Sequence, residues 1–262
     1  MRTIVLRWVS LPSYSKQLLL SLSEILDFTF PTHLDGFKEG ALLLIDKPLN
    51  WTSFDVVNKL RGTLKAKLQI RKLKVGHAGT LDPLATGLLL ICTGKWTKKI
   101  DGLQGMPKQY TGSLKLGATT PSYDAELDED AQFPVDHITV EMLRKKTGLF
   151  TGQIEQVPPM YSALKKDGIP LYKLAREGQS IERKSRSVEI STFDITKVEM
   201  PSVEFLVDCS KGTYIRSLAH DFGAALDSGA YLTGLRRTLI GMYSVEDARS
   251  VEETIARIEG LG

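Results

Sequence analysis

The chain has few residues of the kinds that form cross-links or bind metals, with two cysteines and four histidines among 262 residues. Cys92 and Cys209 both lie inside apolar runs, so we expect buried free thiols and no disulfide. The histidines lack the short paired spacings of a zinc site, so we expect no structural metal. Gly94 and Lys95 are followed by Trp96 without the required upstream glycine, which excludes a phosphate-binding P-loop.

Long hydrophobic runs are also absent. No apolar stretch approaches the roughly 20 residues that span a bilayer, so we expect a soluble, cytoplasmic protein. Residues 1–36 allow two interpretations, because Arg2, Arg7 and Lys16 precede a Ser-rich stretch with no acid before Glu24. They form either a weak organellar address or a disordered, dispensable extension, and we favour the extension. The folded domain is then expected over residues 37–262.

Acidic residues are missing from one stretch of the chain. The net charge of +3 is small, but the stretch from Lys59 to Leu81 contains only basic charges. These are Lys59, Arg61, Lys65, Lys67, Arg71, Lys72 and Lys74. Such a stretch is either a solvated face or a phosphate-binding surface. The acids of residues 122–136, in contrast, predict a solvated loop that does not contact phosphate.

The hydrophobic pattern predicts strands and helices in irregular alternation, which indicates an α+β fold. Strands are predicted over residues 41–46, 87–94 and 110–117, and two more lie between Ser187 and Cys209. A helix capped by Thr52 or Ser53 follows the first strand, and further helices cover residues 139–147 and 170–177. Near the C-terminus, apolar residues recur at helical spacing from Ile215 to Leu226, with Arg216 and His220 on the opposite face, and a capping box starts a last helix at Ser250.

The basic stretch leads into a loop rich in glycine and proline, residues 75–87. Pro83 biases Asp82 towards an extended conformation at a tight bend. Gly76, Gly79 and Gly87 remove side chains where a ligand or another part of the backbone comes close. Taken alone, Asp82 has the pattern of a turn aspartate that bonds its own backbone.

The string KVGHAGTLDPLATGLLLICTGKWTK, residues 74–98, closely resembles the signature of the TruB family of tRNA pseudouridine synthases. The resemblance continues through LLLIDKPLNWTSFDVV, KQYTGSLKLGATTPSYDAE, VPPMYSALKKDGIPLYKLAREG, VDCSKGTYIRSLAHDFG and YLTGLRRTLIG. It covers roughly residues 37–250. It implies the pseudouridine synthase fold: a mixed, largely antiparallel central sheet flanked by helices and loops, with a catalytic cleft across the sheet. Residues 37–262 then form the catalytic domain.

The resemblance implies three catalytic residues. Asp82 matches the essential aspartate of the family, and the reaction needs an anion because uracil is detached through N1 and rejoined through C5. Tyr110 matches the active-site tyrosine, which stacks on the extruded base or helps to remove the C5 proton. Arg216 matches the arginine that pairs with the aspartate. Without the family, Tyr110 has the pattern of a core aromatic and Arg216 that of a surface charge.

Further residues are predicted by resemblance to contact the substrate. His77 matches a histidine that contacts a displaced nucleotide, and Asp124 is placed near the target nucleotide. Tyr172 packs beneath the base or holds its own helix in place, and Lys211 is either a supporting charge or a solvated loop lysine. Leu232, followed by Leu235, Arg236 and Arg237, resembles the pocket edge and an RNA-facing segment. Phosphate contacts are expected from Lys65, Lys67 and Lys72.

The implied activity is conversion of uridine to pseudouridine in the T arm of tRNA, at position 55, by an isomerase that flips its target base and needs no cofactor. Only about twenty residues follow LRRTLIG, so we expect this to be a short form without the C-terminal PUA-type RNA-binding domain of many relatives. We expect a monomer that uses no guide RNA. The competing interpretations are a guide-dependent pseudouridylase subunit and a tRNA-folding chaperone without chemistry.

Overall fold

The computed structural model describes residues 30–261. Within that range it contains seven helices: α1 (Gly36–Glu39), α2 (Ser53–Lys67), α3 (Ile100–Gly105), α4 (Val140–Thr147), α5 (Leu171–Arg176), α6 (Ile215–Ala225) and α7 (Val251–Glu259). The strands are β1 (Leu42–Lys47), β2 (Val75–His77), β3 (Ala85–Thr93), β4 (Lys108–Leu116), β5 (Ala118–Thr119), β6 (Ala131–Gln132), β7 (Gly152–Gln156), β8 (Lys165–Lys166), β9 (Ile169–Pro170), β10 (Arg186–Glu199), β11 (Ser202–Cys209), β12 (Ala230–Ile240) and β13 (Tyr243–Ser244). No helix in this range is long and apolar enough to cross a membrane.

Nine of the strands form one mixed sheet in the order β1-β3-β12-β4-β11-β10-β7, with β2 on β3 and β13 on β12. All pairs are antiparallel except β3 with β12, which are parallel. The pairs β5-β6 and β8-β9 are small separate hairpins. The expected α+β fold with a mixed, largely antiparallel sheet is therefore confirmed.

The two apolar runs near the start of the sheet are buried on both faces. In β1, Leu43 and Ile45 belong to a cluster shared with α2 and α7, whereas Leu42 and Leu44 belong to a cluster on the other face. The same division holds along β3. Burial on both faces accounts for the continuous apolar sequence of these strands. Cys92 and Cys209 are buried free thiols, as predicted.

Five helices begin close to where the sequence predicts, whereas α1 and α3 were not predicted. Thr52 caps α2 in a capping box with Asp55, and Ser250 caps α7 in one with Glu253. Gly148 follows α4 directly. The apolar stripe of α6, from Ile215 to Leu226, packs in the largest core cluster. These local signals decide the helix boundaries because each cap satisfies an otherwise unpaired backbone N–H group.

The predicted extension over residues 1–36 lies mostly outside the described residues. From residue 30 onwards the chain packs on the domain: Phe30 meets Phe37 edge-on at 5.5 Å between ring centroids, and the Arg257 guanidinium lies 4.2 Å from the Phe30 centroid. Phe37 is fully buried. The boundary at residue 36 stays a prediction.

Candidate active site

Asp82 lies on the loop of residues 78–84 between β2 and β3, which we call the Asp82 loop. Its start is fixed by a bond from the Ala78 amide to the Leu90 carbonyl, at 2.9 Å. At its end, the Ala85 amide donates to the Asp82 carbonyl at 3.1 Å, which closes a tight turn with Pro83 at its second position. The predicted bend is therefore present.

The start of α2 holds the middle of this loop. The Ser53 hydroxyl accepts from the Leu81 amide at 2.8 Å and lies 3.2 Å from the Leu81 carbonyl oxygen. The Asn50 amide donates to the Pro83 carbonyl at 2.9 Å. Because Leu81 and Pro83 flank Asp82, these bonds fix the backbone on both sides of the carboxylate.

Lys47 lies beneath the same bend and is fully buried. Its ammonium donates to the carbonyls of Trp51 at 2.6 Å, Pro48 at 2.9 Å and Pro83 at 3.4 Å. Burial lowers the pKa of Lys47 to about 8, and the charge of Asp82 opposes that shift. Sequence reasoning assigned no role in the site to Lys47, Ser53 or Asn50, although all three lie inside the LLLIDKPLNWTSFDVV motif.

Asp82 pairs with the buried Arg216 of α6. The Arg216 Nε atom lies 2.9 Å from one carboxylate oxygen of Asp82, and the Asp82 side chain is 40% exposed against 6% for Arg216. Within residues 30–261 the other carboxylate oxygen has no hydrogen-bond partner. The alternative of a turn aspartate bonded to its own backbone is thus wrong, and so is that of a surface Arg216.

A second carboxylate shares the guanidinium. Asp124 lies 3.6 Å from Arg216 Nε, and the Ser122 carbonyl accepts from Arg216 Nη1 at 3.2 Å. Asp124 and Ser122 are buried. The prediction of a solvated acidic loop was wrong for these two residues, because Arg216 compensates their burial. It holds for most of the following acids, such as Glu126, which pairs with Arg176 on the surface.

The three charged groups line one open cleft. Its apolar wall includes Leu84, Ala85, Leu232 and Leu235, with Thr233 and Gly234 between the last two. Leu232 is held there because its amide donates to the Tyr123 carbonyl at 3.0 Å. The structure thus brings Leu232 to the same cleft as Asp82, as the prediction of a pocket-edge residue requires. The cleft places a carboxylate beside an apolar surface.

The electrostatics of Asp82 combine opposing effects. The low-dielectric walls of the cleft raise the pKa of the Asp82 carboxyl, the Arg216 guanidinium opposes the rise, and the carboxylates of Asp124 and Glu126 add to it. The cation therefore favours an ionised carboxylate while the surroundings keep its solvation poor, which suits a nucleophile or an electrostatic stabiliser.

Tyr110 lies in β4, is buried, and is not among the residues that line the cleft. It belongs to the same core cluster as Leu81 and Ala85 of the neighbouring wall. Burial raises the pKa of the Tyr110 phenol, Arg237 opposes the rise, and the charge of Asp82 adds to it. The ring is thus a buried neutral phenol within electrostatic range of Asp82.

His77 ends β2 and is half-buried. Its Nδ1 atom is buried and has no hydrogen-bond partner within the described chain. Burial lowers the pKa of His77, and the nearby charge of Arg237 adds to that effect. The imidazole is therefore kept neutral, with one ring nitrogen unused by the protein.

The remaining predicted residues lie outside the cleft wall. Tyr172 is half-buried in α5, with the Arg176 guanidinium 5.7 Å from its ring centroid. Lys211 is exposed in the turn between β11 and α6, Lys72 is exposed, and Lys65 is half-exposed in the last turn of α2. Lys67 is exposed, but its ammonium donates to the Glu259 carbonyl at the end of α7, at 2.8 Å.

Arg236 and Arg237, which follow Leu235, were predicted to face RNA. Arg236 is partly exposed and forms a bidentate salt bridge with Asp46, in which Nη1 lies 3.0 Å from Oδ1 and Nη2 lies 2.7 Å from Oδ2. Arg237 is only 1% exposed, so the prediction that it faces RNA was wrong. Its side chain turns inwards because main-chain carbonyls satisfy the guanidinium there. No group of three or more His, Cys, Asp or Glu side chains within residues 30–261 is arranged to hold a metal ion.

Comparison with known proteins shows the family of the chain. Residues 65–215, more than half of the chain, match the family model described as TruB family pseudouridylate synthase, N-terminal domain. The tRNA pseudouridine synthase B of Flavobacterium johnsoniae is 57% identical over 215 residues, covering 82% of this chain and 94% of that protein. The protein of the same name from Phocaeicola vulgatus is 53% identical, covering 83% and 92%.

A solved structure has the same fold. One chain of a Cbf5-Nop10-Gar1 complex superposes with a TM-score of 0.63 at 26% identity. The match covers 88% of the present chain and 59% of that chain. The present chain thus spans under two thirds of that larger protein, whereas it spans most of the bacterial relatives.

Proposed function

The chain belongs to the TruB family of pseudouridylate synthases, and we propose that it isomerises uridine to pseudouridine in tRNA with Asp82 as the catalytic carboxylate. The observation that carries the proposal is the cleft in which Arg216 Nε lies 2.9 Å from a partly exposed Asp82. Relatives that share half or more of their residues with this chain are named for that reaction.

The chemistry explains why a carboxylate is needed. The glycosidic bond from N1 to C1′ breaks, the uracil turns, and a bond from C5 to C1′ forms. The C5 proton leaves and N1 regains a proton, so no net oxidation occurs and no cofactor is required. Asp82 either adds to the nucleoside and leaves again or stabilises the positive charge that develops on the sugar. Both roles need the ionised form.

The neighbouring groups support that form. Arg216 holds one oxygen of Asp82 and leaves the other for the substrate. Asp124 lies 3.6 Å from the same Nε atom of Arg216. Tyr110, a buried phenol in the same core cluster as Leu81 and Ala85, is assigned to contact with the base and to movement of the C5 proton.

The target is proposed to be uridine 55 in the T arm of tRNA. Its base must leave the stack to reach a cleft of this kind, and a loop nucleotide can do so at lower cost than a paired one. We assign His77 to a displaced neighbouring nucleotide, because it matches the family histidine with that role and lies half-buried at the start of the Asp82 loop. Tyr172, Lys211 and the basic residues Lys65, Lys67 and Lys72 are assigned to RNA contacts around the cleft.

We propose that the enzyme acts as a cytoplasmic monomer without guide RNA. The support for independence from a guide is the greater similarity to relatives named tRNA pseudouridine synthase B, 57% identity to the Flavobacterium protein against 26% to the Cbf5 chain.

The test is to incubate the purified protein with a tRNA transcript carrying C5-tritiated uridine, without guide RNA or cofactor. Tritium release and a single new pseudouridine at position 55 are expected. A transcript with cytidine at position 55 is the control and should release nothing. Binding of tRNA without tritium release would contradict the proposal and favour a tRNA chaperone.

A further inference from the structure

Arg237 is a buried cation whose partners are main-chain carbonyls and the Tyr110 phenol. It lies in β12 and is only 1% exposed. Within the described part of the chain, its hydrogen bonds go to three carbonyl oxygens and to the Tyr110 hydroxyl, and none goes to a carboxylate. A buried charge without a carboxylate partner costs several kcal/mol in desolvation unless dipoles compensate it. The cost of burying this charge indicates that Arg237 has a structural or functional role.

The three carbonyl acceptors of Arg237 lie on two separate segments. Nε donates to the Leu88 carbonyl in β3 at 2.7 Å. Nη2 donates to the Gly79 carbonyl at 3.1 Å, and Nη1 lies 3.5 Å from the Thr80 carbonyl. Gly79 and Thr80 belong to the Asp82 loop and precede Asp82 by only three and two residues. The planar Arg237 guanidinium therefore hydrogen-bonds both the Asp82 loop and the sheet. A lysine ammonium cannot reproduce this geometry.

Two glycines at positive φ adjoin Arg237. Gly87 pairs with Arg237 across the parallel strands and has φ +99, and a Cβ there would lie 2.3 Å from the Arg237 carbonyl oxygen. Gly79 has φ +98, and a Cβ there would lie 3.5 Å from Arg237 Nη1, at ordinary contact distance. Gly87 thus permits the close approach of the Arg237 backbone, and Gly79 allows the loop the conformation in which its carbonyl accepts from the guanidinium.

Arg237 also adjoins Tyr110. The two residues are register partners across the antiparallel pair β12-β4. The guanidinium opposes the effect of burial on the pKa of the Tyr110 phenol. Arg237 thus contacts the segment that carries Asp82 and interacts with the candidate tyrosine, while it does not line the cleft.

We propose that Arg237 is a positioning residue for the isomerisation, which fixes the Asp82 loop to the sheet so that Asp82 meets both Arg216 and the substrate. It contacts no substrate itself. The inference rests on the proposed function for the reaction that it serves. It gives a physical reason for a buried arginine next to the partly exposed Arg236.

The experiment compares Arg237→Gln and Arg237→Lys with Arg144→Gln, a change at an exposed arginine of α4, as the control. Arg237→Gln should lower kcat by about 100-fold, because small misplacements of a reacting group cost this much, and should leave the Kd for tRNA within about twofold. Arg237→Lys keeps the charge but reaches fewer carbonyls, so its kcat should lie between those of Arg237→Gln and the parent protein. Arg144→Gln should keep the kcat of the parent protein.

The pH profile separates positioning from loss of fold. A loosened loop weakens the contact of Asp82 with Arg216, and loss of a cation raises the pKa of a carboxyl. The acid limb of kcat/KM should therefore move to higher pH in Arg237→Gln and stay in place in Arg144→Gln. A smaller folded fraction would lower kcat/KM by the same factor at every pH and would leave the pH of the acid limb unchanged.

Two results would overturn the inference. One is a folded Arg237→Gln protein with parental kcat and an unmoved acid limb. The other, decisive if Arg237→Gln does not fold, is parental kcat and an unmoved limb in Arg237→Lys. A parent protein inactive on tRNA would instead refute the proposed function, so the two failures are distinguishable.

Discussion

Arg216 is shared between two carboxylates, and this sharing sets the charge state of the site. It lies 2.9 Å from Asp82 and 3.6 Å from Asp124, and it is nearly fully buried. Two anions around one cation leave a net negative charge in a poorly solvated cleft. The pKa of Asp82 is raised from 3.8 by this poor solvation and by the neighbouring anion, even though the cation opposes the rise.

The first prediction concerns the acid limb of kcat/KM. Since activity requires ionised Asp82, activity falls as the pH drops through its pKa, and the limb should lie above pH 3.8. Asp124→Asn removes a negative neighbour and frees Arg216 for Asp82, so the limb should move to lower pH. Arg216→Gln should move it to higher pH. Rates of tritium release measured across the pH range provide the check.

Asp128→Asn is the control for that series, because Asp128 is an acid of the same loop and is not among the cleft residues. Its acid limb should match that of the parent protein. A limb that moves upwards in Asp124→Asn, or does not move in either site variant, would contradict the assignment of the limb to Asp82.

At the scale of elements, the start of α2 positions the Asp82 loop. Ser53→Ala should lower kcat by about tenfold, because it removes the hydroxyl that bonds Leu81 and lets Asp82 shift. It should also cost about 1–3 kcal/mol, since the Leu81 amide is left without its partner. The measurements are tritium release and urea unfolding.

Ser250→Ala is the matched comparison, because it removes the cap of α7. It should cost about 1 kcal/mol of stability and leave kcat unchanged. An equal fall of kcat in both folded variants would show that Ser53 has no specific link to the site.

A pair of glycines tests the close approach of β3 and β12. Gly87→Ala puts a methyl group against the Arg237 backbone at positive φ, and it should destabilise the protein by roughly 2 kcal/mol or more. Gly62→Ala lies in α2 with nothing within 4 Å of the new atom, and it should stabilise the protein by about 0.5–1 kcal/mol. Thermal unfolding of the two variants should therefore shift in opposite directions; similar shifts would contradict the strand geometry.

The elements that could be predicted are those whose signals are local. The runs that became β1 and β3, the caps at Thr52 and Ser250, and the stripe of α6 all follow from residue periodicity and capping chemistry. Strand β12, at the centre of the sheet, was not predicted. Its apolar pattern is interrupted by Arg236 and Arg237, and the carbonyls that allow Arg237 to be buried are more than 140 residues away in the chain.

The site was predictable to a similar extent. Family resemblance singled out Asp82, Arg216 and Leu232, and the fold brings them to one cleft. Lys47, Ser53 and Arg237 were missed as parts of the site because their roles depend on bonds to loop carbonyls and amides. Such bonds leave no periodic trace in a sequence.

At the scale of the whole molecule, RNA affinity should depend on local basic surfaces more than on the net charge of +3. Lys65→Gln with Lys72→Gln should flatten the slope of log K for tRNA against log salt by about 0.7–0.9 for each phosphate that these lysines neutralise. Lys67→Gln should have less effect, because its ammonium already bonds Glu259. Binding titrations at several salt concentrations measure the slopes.

Lys145→Gln with Lys197→Gln makes the same change of net charge on other elements, α4 and β10. That control should keep the parental slope. Equal slopes for the two double variants would assign the salt dependence to net charge and contradict a specific phosphate surface at the end of α2.

The most direct measurement of the central claim is tritium release by Asp82→Asn from C5-labelled tRNA, beside Asp194→Asn as an exposed aspartate of β10. Asparagine keeps the size of the side chain and removes its negative charge. Asp82→Asn should release no tritium while it binds tRNA with parental affinity, and Asp194→Asn should match the parent. Release by Asp82→Asn at the parental rate would contradict the account.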